Sequence, residues 1–468
     1  MPDLARERMS DVEALMWGLE TDPHLSSNFA VLTFYDTAPE PERLRRRMWR
    51  TSRVVPRLRR RVVAGLGPLA NPAWEEDADF DLDRHLRTVS LPTGATDADA
   101  RALAAQLAAE PFDREHPLWQ FTVIEGLPDG RAAMVQKMHH TITDGEGGIR
   151  MSVEFIDLTR DAPEPPPIDD GPPAPDRSWP IVRLATGVLG ALGDATRHNV
   201  ATARNLVGGA VDLTLHPAHL ASAVAALPAD AAATTRSLVR QLGVVEPHRS
   251  PIWNGRSLDR RLETFEVSLA EAKTAAHALG GSVNDLFVAA AAGGAGAYHR
   301  RAGSDVAELR MSMPVSTRTE RGTAGNSFTP TRVLVPVEAD PRRRFAEIHG
   351  RLSITKTERA ASLATSLAGL VNLLPHAAVI RLARQQVMTV DFATSNVRAA
   401  PFDLYMAGAR MTANFPLGPV AGTAWNLTTM SYRGQLDCGL HVDPAAVADP
   451  GQLRTDIQAA FAELVALA

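Results

Sequence analysis

Val12, Leu15, Met16 and Leu19 recur at the three- and four-residue spacing of an amphipathic helix. Just ahead of them, Ser10-Asp11-Val12-Glu13 has the form of a capping box, so the pattern predicts a short helix near the start of the chain. Phe29 to Tyr35 and Ala132 to His140 read as strands, and Thr96 to Ala109 reads as a helix that must stop before Pro111. In the second half, strands are predicted at Arg310 to Pro314, Thr331 to Val337, Trp425 to Tyr432 and Gln435 to Val442. Arg433-Gly434 turns the last two into a hairpin, and a helix with Leu453, Ile457, Phe461 and Leu464 in register follows. Mixed helices and strands point to an α/β (α+β) fold.

Between these regions the pattern breaks. Residues 161–180 hold eight prolines, which forbid regular structure, and residues 181–245 are rich in Ala, Leu and Val with a moderate apolar face. The expected organisation is an N-terminal half over residues 1–165, a proline-rich linker and helical bridge over 166–250, and a C-terminal half over 251–468. A chain of 468 residues is too long for one ordinary core, and 45% hydrophobic with 22% charged residues suits globular domains. A net charge of −5 argues against nucleic acid as partner. The one cysteine, Cys438, excludes an intramolecular disulfide framework and any CxxC site, which fits a reducing compartment. Charges in Met1 to Arg8 are unlike an export signal, and no uncharged apolar run reaches about 18 residues.

The predicted strand from Ala132 ends in His139 and His140, whose side chains project to opposite faces if both are extended. At most one serves a given site directly. Thr143-Asp144-Gly145 then supplies a turn able to return a carboxylate toward the strand end. A histidine held this way is suited to general-base work, since imidazole titrates near neutral pH. Diverging histidines, no HExxH and no cysteine ligands leave zinc without support, and G-x-S-x-G, Walker A and G-x-G-x-x-G motifs are missing. Ser282-Val283-Asn284-Asp285 reads as a helix start with Ser282 as N-cap. Both following residues are capping candidates, and the Asn284 amide is also placed to stabilise an oxyanion.

His139-His140-Thr141-Ile142-Thr143-Asp144-Gly145 resembles the HHxxxDG signature of the chloramphenicol-acetyltransferase-like superfamily. Within it, the chain resembles the bacterial wax ester synthase/acyl-CoA:diacylglycerol acyltransferase family. The blocks that carry this include Pro117-Leu118-Trp119, Val283-Asn284-Asp285, Pro314-Val315-Ser316-Thr317-Arg318, Gly325-Asn326, Ser395-Asn396-Val397 and Ser431-Tyr432-Arg433-Gly434. The resemblance implies two chloramphenicol-acetyltransferase-like halves with an active-site tunnel between them, and acyl transfer from acyl-CoA to diacylglycerol or a long-chain alcohol. His140 would be the base, Asp144 and His139 would support it, and Asn284 would assist the oxyanion. Gly145, Asp285, Ser395 and Asn396 would contact substrate, and Arg318 is a candidate cation for Asp144. No cofactor is implied beyond acyl-CoA as co-substrate, and no metal. Arg398-Ala399-Ala400 stands where the family usually has Pro-Gly-Pro. That departure keeps open a related transferase acting on polyketide or peptide hydroxyls. A non-catalytic lipid-droplet protein is the alternative from another class.

Arg43 to Arg61 contains ten arginines, readable as a solvated helix face or as a surface for lipid headgroups or CoA phosphates. With lipophilic substrates and no spanning segment, the expected location is cytoplasmic, peripherally bound to the inner membrane face or to lipid droplets.

Overall fold

The computed structural model describes residues 6–65, 71–143, 145–165, 168, 247–316, 328–359 and 376–468. The bridge expected over 181–245 and most of the proline segment lie outside these residues, as do Asp144, Arg318 and Gly325-Asn326.

Strands in chain order are β1 (Arg6–Arg8), β2 (Asn28–Tyr35), β3 (Arg60–Val63), β4 (Ala73–Glu76), β5 (Leu86–Ser90), β6 (Trp119–Glu125), β7 (Ala132–His139), β8 (Arg261–Ser268), β9 (Glu308–Ser316), β10 (Phe328–Pro336), β11 (Phe392–Arg398), β12 (Tyr405–Met406), β13 (Ala409–Leu417), β14 (Trp425–Tyr432) and β15 (Gln435–Val442). They form two six-stranded sheets, one ordered β12-β13-β2-β7-β6-β5 and the other β10-β9-β11-β14-β15-β8, with a small sheet β1-β4-β3 at the side.

Local signals placed several elements. Ser10 and Glu13 make both hydrogen bonds of the capping box ahead of helix Asp11–Leu19, and Thr96 with Asp99 does the same for helix Asp97–Ala109. The hairpin β14–β15 turns through Arg433 and Gly434, both at positive φ (48° and 82°), the geometry of a two-residue turn whose twist matches its strands. Helix Pro450–Val465 buries Leu453, Ile457, Phe461 and Leu464 against helix Val283–Arg301 and the second sheet.

The first sheet is not built from the N-terminal half alone. β12 and β13 come from residues 405–417 and add to its edge, with β13 antiparallel to β2. The outer edge of β13 abuts the face of the second sheet. There the Asn414 N–H donates to Asp437 Oδ2 at 2.6 Å, and Gly418 O accepts from His441 Nδ1 at 2.9 Å. Pro416, which has no N–H to leave unpaired, lies so close to Gly439 that a Cβ there would sit 1.9 Å from its carbonyl oxygen. Helix Asp97–Ala109 covers one face of the first sheet with Ala100, Ala104, Ala105 and Ala108 and reaches Leu262 of β8. Residues 249–250 are tied to the second sheet by Asp391, whose buried carboxylate accepts the N–H groups of Arg249, Ser250 and Arg310.

The arginine-rich segment is neither a bare solvated face nor a free cationic surface. It forms helix Pro41–Val54 and the residues up to β3, and at least nine of its ten arginines lie within ion-pair distance of acids brought in from elsewhere. Arg43 and Arg47 share the buried Asp157, at 2.9 and 2.6 Å. Arg53 also lies over the Trp49 ring at 5.4 Å.

Candidate active site

The last residue of β7 pairs with the first of β2, His139 opposite Asn28, so the strand stops one residue earlier than the pattern suggested. His140 begins the following turn, where its N–H donates to Ser27 O at 3.2 Å. The two rings nevertheless part company. His139 is 1% exposed, on the side of β7 occupied by Ala133, Val135 and Lys137. His140 is half-buried, its ring tilted against Phe29 at a centroid distance of 4.6 Å.

Both nitrogens of His139 are engaged. The Thr141 N–H points at Nδ1 from 3.1 Å, so Nδ1 accepts, and Thr141 Oγ1 is 2.7 Å from the same atom. The ring proton therefore sits on Nε2, which donates to Glu20 Oε2 at 3.2 Å. Burial alone would raise the Glu20 carboxyl, but hydrogen bonds from His139, Ser27 and Ser26 hold it below its ordinary range. Lys137 donates to Glu110 O at 2.6 Å beneath the Phe112 ring, and burial lowers its pKa to about 8.

The turn after the histidines is clamped from outside. Arg57 Nη1 reaches Thr141 O at 3.2 Å and Glu13 Oε1 at 2.8 Å, and its guanidinium covers the Trp74 ring at 4.5 Å. The motif's glycine, Gly145, opens helix Gly145–Ser152, which lies beside β11 of the other sheet. Ser395 and Asn396 are on β11, half-buried and exposed respectively, in parallel register with Thr428 and Thr429. The helix that follows the histidines thus packs beside the strand that carries the Ser-Asn pair.

Asn284 and Asp285 stand at the second and third positions of helix Val283–Arg301. Asp285 is 2% exposed, and its Oδ2 accepts from Ser282 N, Ser282 Oγ and His349 Nδ1 at 2.8, 2.8 and 2.9 Å. That atom is occupied with capping and with His349. Asn284 is half-buried at the positive end of a 19-residue helix. Cys438 is buried on β15 with its thiol 3.5 Å from Thr429 Oγ1, and burial pushes its pKa up to about 12. Among the described residues no cluster of three or more His, Cys, Asp or Glu side chains is placed to hold a metal ion.

Glu20, Ser27, Phe29 and Arg57 belong to no motif. Their partnership with the histidines joins segments more than eighty residues apart in sequence, which local spacing does not encode.

Residues 9–287 match the model of the wax ester synthase/diacylglycerol acyltransferase catalytic domain, and residues 324–465 that of the C-terminal domain of the same family. The chain belongs to this family. Among relatives of the wax ester synthase/diacylglycerol acyltransferase member described here is a putative diacylglycerol O-acyltransferase of Mycobacterium tuberculosis. It is 34% identical, over 99% of this chain and 92% of the relative. A second protein of that description and organism is 28% identical over 98% and 97%. The fold is similar to that of the wax ester synthase/diacylglycerol acyltransferase from Marinobacter aquaeolei, with TM-score 0.64, 20% identity and 98% of each chain covered. It is also similar to a starter condensation domain of rhizomide synthetase in complex with C8-CoA, with TM-score 0.54, 15% identity and coverage of 99% and 95%.

Proposed function

We propose that this chain transfers a fatty acyl group from acyl-CoA to the hydroxyl of diacylglycerol or a long-chain alcohol, with His140 as general base. His140 removes the hydroxyl proton as that oxygen attacks the thioester carbonyl. The tetrahedral oxyanion collapses with cleavage of the carbon–sulfur bond, and the imidazolium returns its proton to the CoA thiolate. The observation that carries the assignment is the division between the histidines. His139 accepts from Thr141 N–H and donates to Glu20, whereas His140 stands half-buried against Phe29 at the start of the turn after β7. Asn284, at a helix N-terminus, is assigned to the oxyanion; Asp144 and His139 hold the loop; Gly145 and Ser395 line the acceptor side, and Asn396, next to Ser395 on β11, projects from the opposite face. Asp285 acts through the helix cap that presents Asn284. Membership of a catalytic-domain family disfavours a non-catalytic lipid-droplet protein.

Lipophilic substrates support peripheral attachment to the inner membrane face or to lipid droplets. Among the described residues no helix is long and apolar enough to cross a membrane. The test is radiolabelled oleoyl-CoA with dioleoylglycerol, with hexadecanol and with no acceptor. Label in triacylglycerol or wax ester is expected. Release of CoA without ester in either acceptor arm would refute the proposal.

A further inference from the structure

Glu20 is a charged residue in the loop after helix Asp11–Leu19, outside every motif that points to acyl transfer. Its side chain is 14% exposed, so its charge needs compensating partners. Three donors converge on it: Ser26 Oγ at 2.7 Å on Oε1, and Ser27 N at 2.8 Å with His139 Nε2 at 3.2 Å on Oε2. The same Ser27 offers its carbonyl oxygen to the His140 N–H at 3.2 Å. Two short paths therefore run from one carboxylate to the histidine pair, one through the His139 ring and one through the Ser27 peptide to the backbone of His140.

We propose that Glu20 is a positioning residue for acyl transfer, fixing His139 with its proton on Nε2 and holding segment 26–27 so that His140 is aimed at the acceptor hydroxyl. This rests on the reading of His140 as general base. The arrangement explains why His139 is no alternative base: its Nδ1 lone pair is directed at Thr141 N–H, and its Nε2 proton is given to Glu20. A proton-transfer group displaced by about 1 Å loses on the order of a hundredfold in rate. Freeing segment 26–27 and the His139 ring together has an effect of that order.

The geometry separates shape from charge. In Glu20→Gln the amide oxygen can take the place of Oε2 and accept from both Ser27 N and His139 Nε2. Its NH2 then faces Ser26, whose hydroxyl can turn to accept. Glu20→Asp keeps the charge but is one methylene shorter and cannot reach both anchors. Steady-state kinetics with oleoyl-CoA and dioleoylglycerol, corrected for folded protein by circular dichroism, are to be measured for Glu20→Gln, Glu20→Asp, Glu20→Ala and His140→Ala.

The expected result is kcat within about threefold of the parent for Gln, and about 10–100-fold lower for Asp and Ala, with KM for oleoyl-CoA changed less than about threefold. If Ala does not fold, the contrast between Gln and Asp decides. Equal kcat per folded molecule for Gln and Asp, or a Gln variant that falls as far as Asp, overturns the positioning role. A fully active His140→Ala enzyme overturns the general-base reading instead, so the two failures are distinct.

Discussion

Asp437 offers a quantitative test of how the two sheets are joined. It lies on β15, 2% exposed, directly across from Glu266 of β8, and accepts the Asn414 N–H of the crossing strand. Burial, reinforced by Glu266 and opposed by the Asn414 hydrogen bond, raises its pKa from 3.8 to about 7. An unfolded aspartate titrates near 3.9, so between about pH 4 and pH 7 the folded protein holds a proton that the unfolded chain has lost. The contribution of this group to stability is therefore complete at low pH, is lost as pH rises through that window, and is flat above it. Three pKa units correspond to about 4 kcal/mol as a ceiling, and relaxation around the carboxylate leaves about 2–4 kcal/mol. Asp437→Asn keeps an acceptor for Asn414 N–H and removes the ionisation. At about 2 °C per kcal/mol for a cooperative unit of some two hundred residues, its melting temperature at pH 8 should exceed the parent's by about 4 °C or more, the gap closing toward pH 5. The assay is a set of thermal melts from pH 5 to pH 8.5. A gap that does not depend on pH, or a variant less stable than the parent at pH 8, refutes the reasoning.

Two further substitutions probe the same strand. Cys438→Ser should retain most activity and show no ping-pong kinetics, because a buried thiol held near a pKa of about 12 is no nucleophile; loss of turnover with normal folding would revive a covalent acyl-enzyme. Gly439→Ala should destabilise by about 1–3 kcal/mol or more, as its Cβ would meet the Pro416 carbonyl that docks the crossing strand; a melting temperature equal to the parent's would show that β13 can retreat at no cost.

What the amino-acid pattern revealed was local. The capping box at Ser10 involves residues three apart, and the β14–β15 hairpin needs only its turn and two alternating runs. The HHxxxDG segment was visible because its chemistry is compressed into seven residues. The addition of β13 to β2 was not, since Asn414 and Thr33 are 381 residues apart and nothing in either run specifies the other. The same holds for Glu20 at His139 and Arg57 at Thr141, acids and bases whose partners are set by the fold. The arginine-rich stretch shows the converse: a strong local charge signal whose meaning changed once Asp157, Glu7 and Glu13 arrived from elsewhere.

The most direct test of the account is kcat per folded molecule for His140→Ala beside His139→Ala, with melts on the same samples. A general base contributes about 10²–10⁴-fold. His140→Ala should lose about that much while its melting temperature and acyl-CoA binding stay near those of the parent. His139→Ala, deprived of the ring that ties Thr141 to Glu20, should lose stability first and intrinsic rate less. A folded His140→Ala enzyme with full activity would contradict the account.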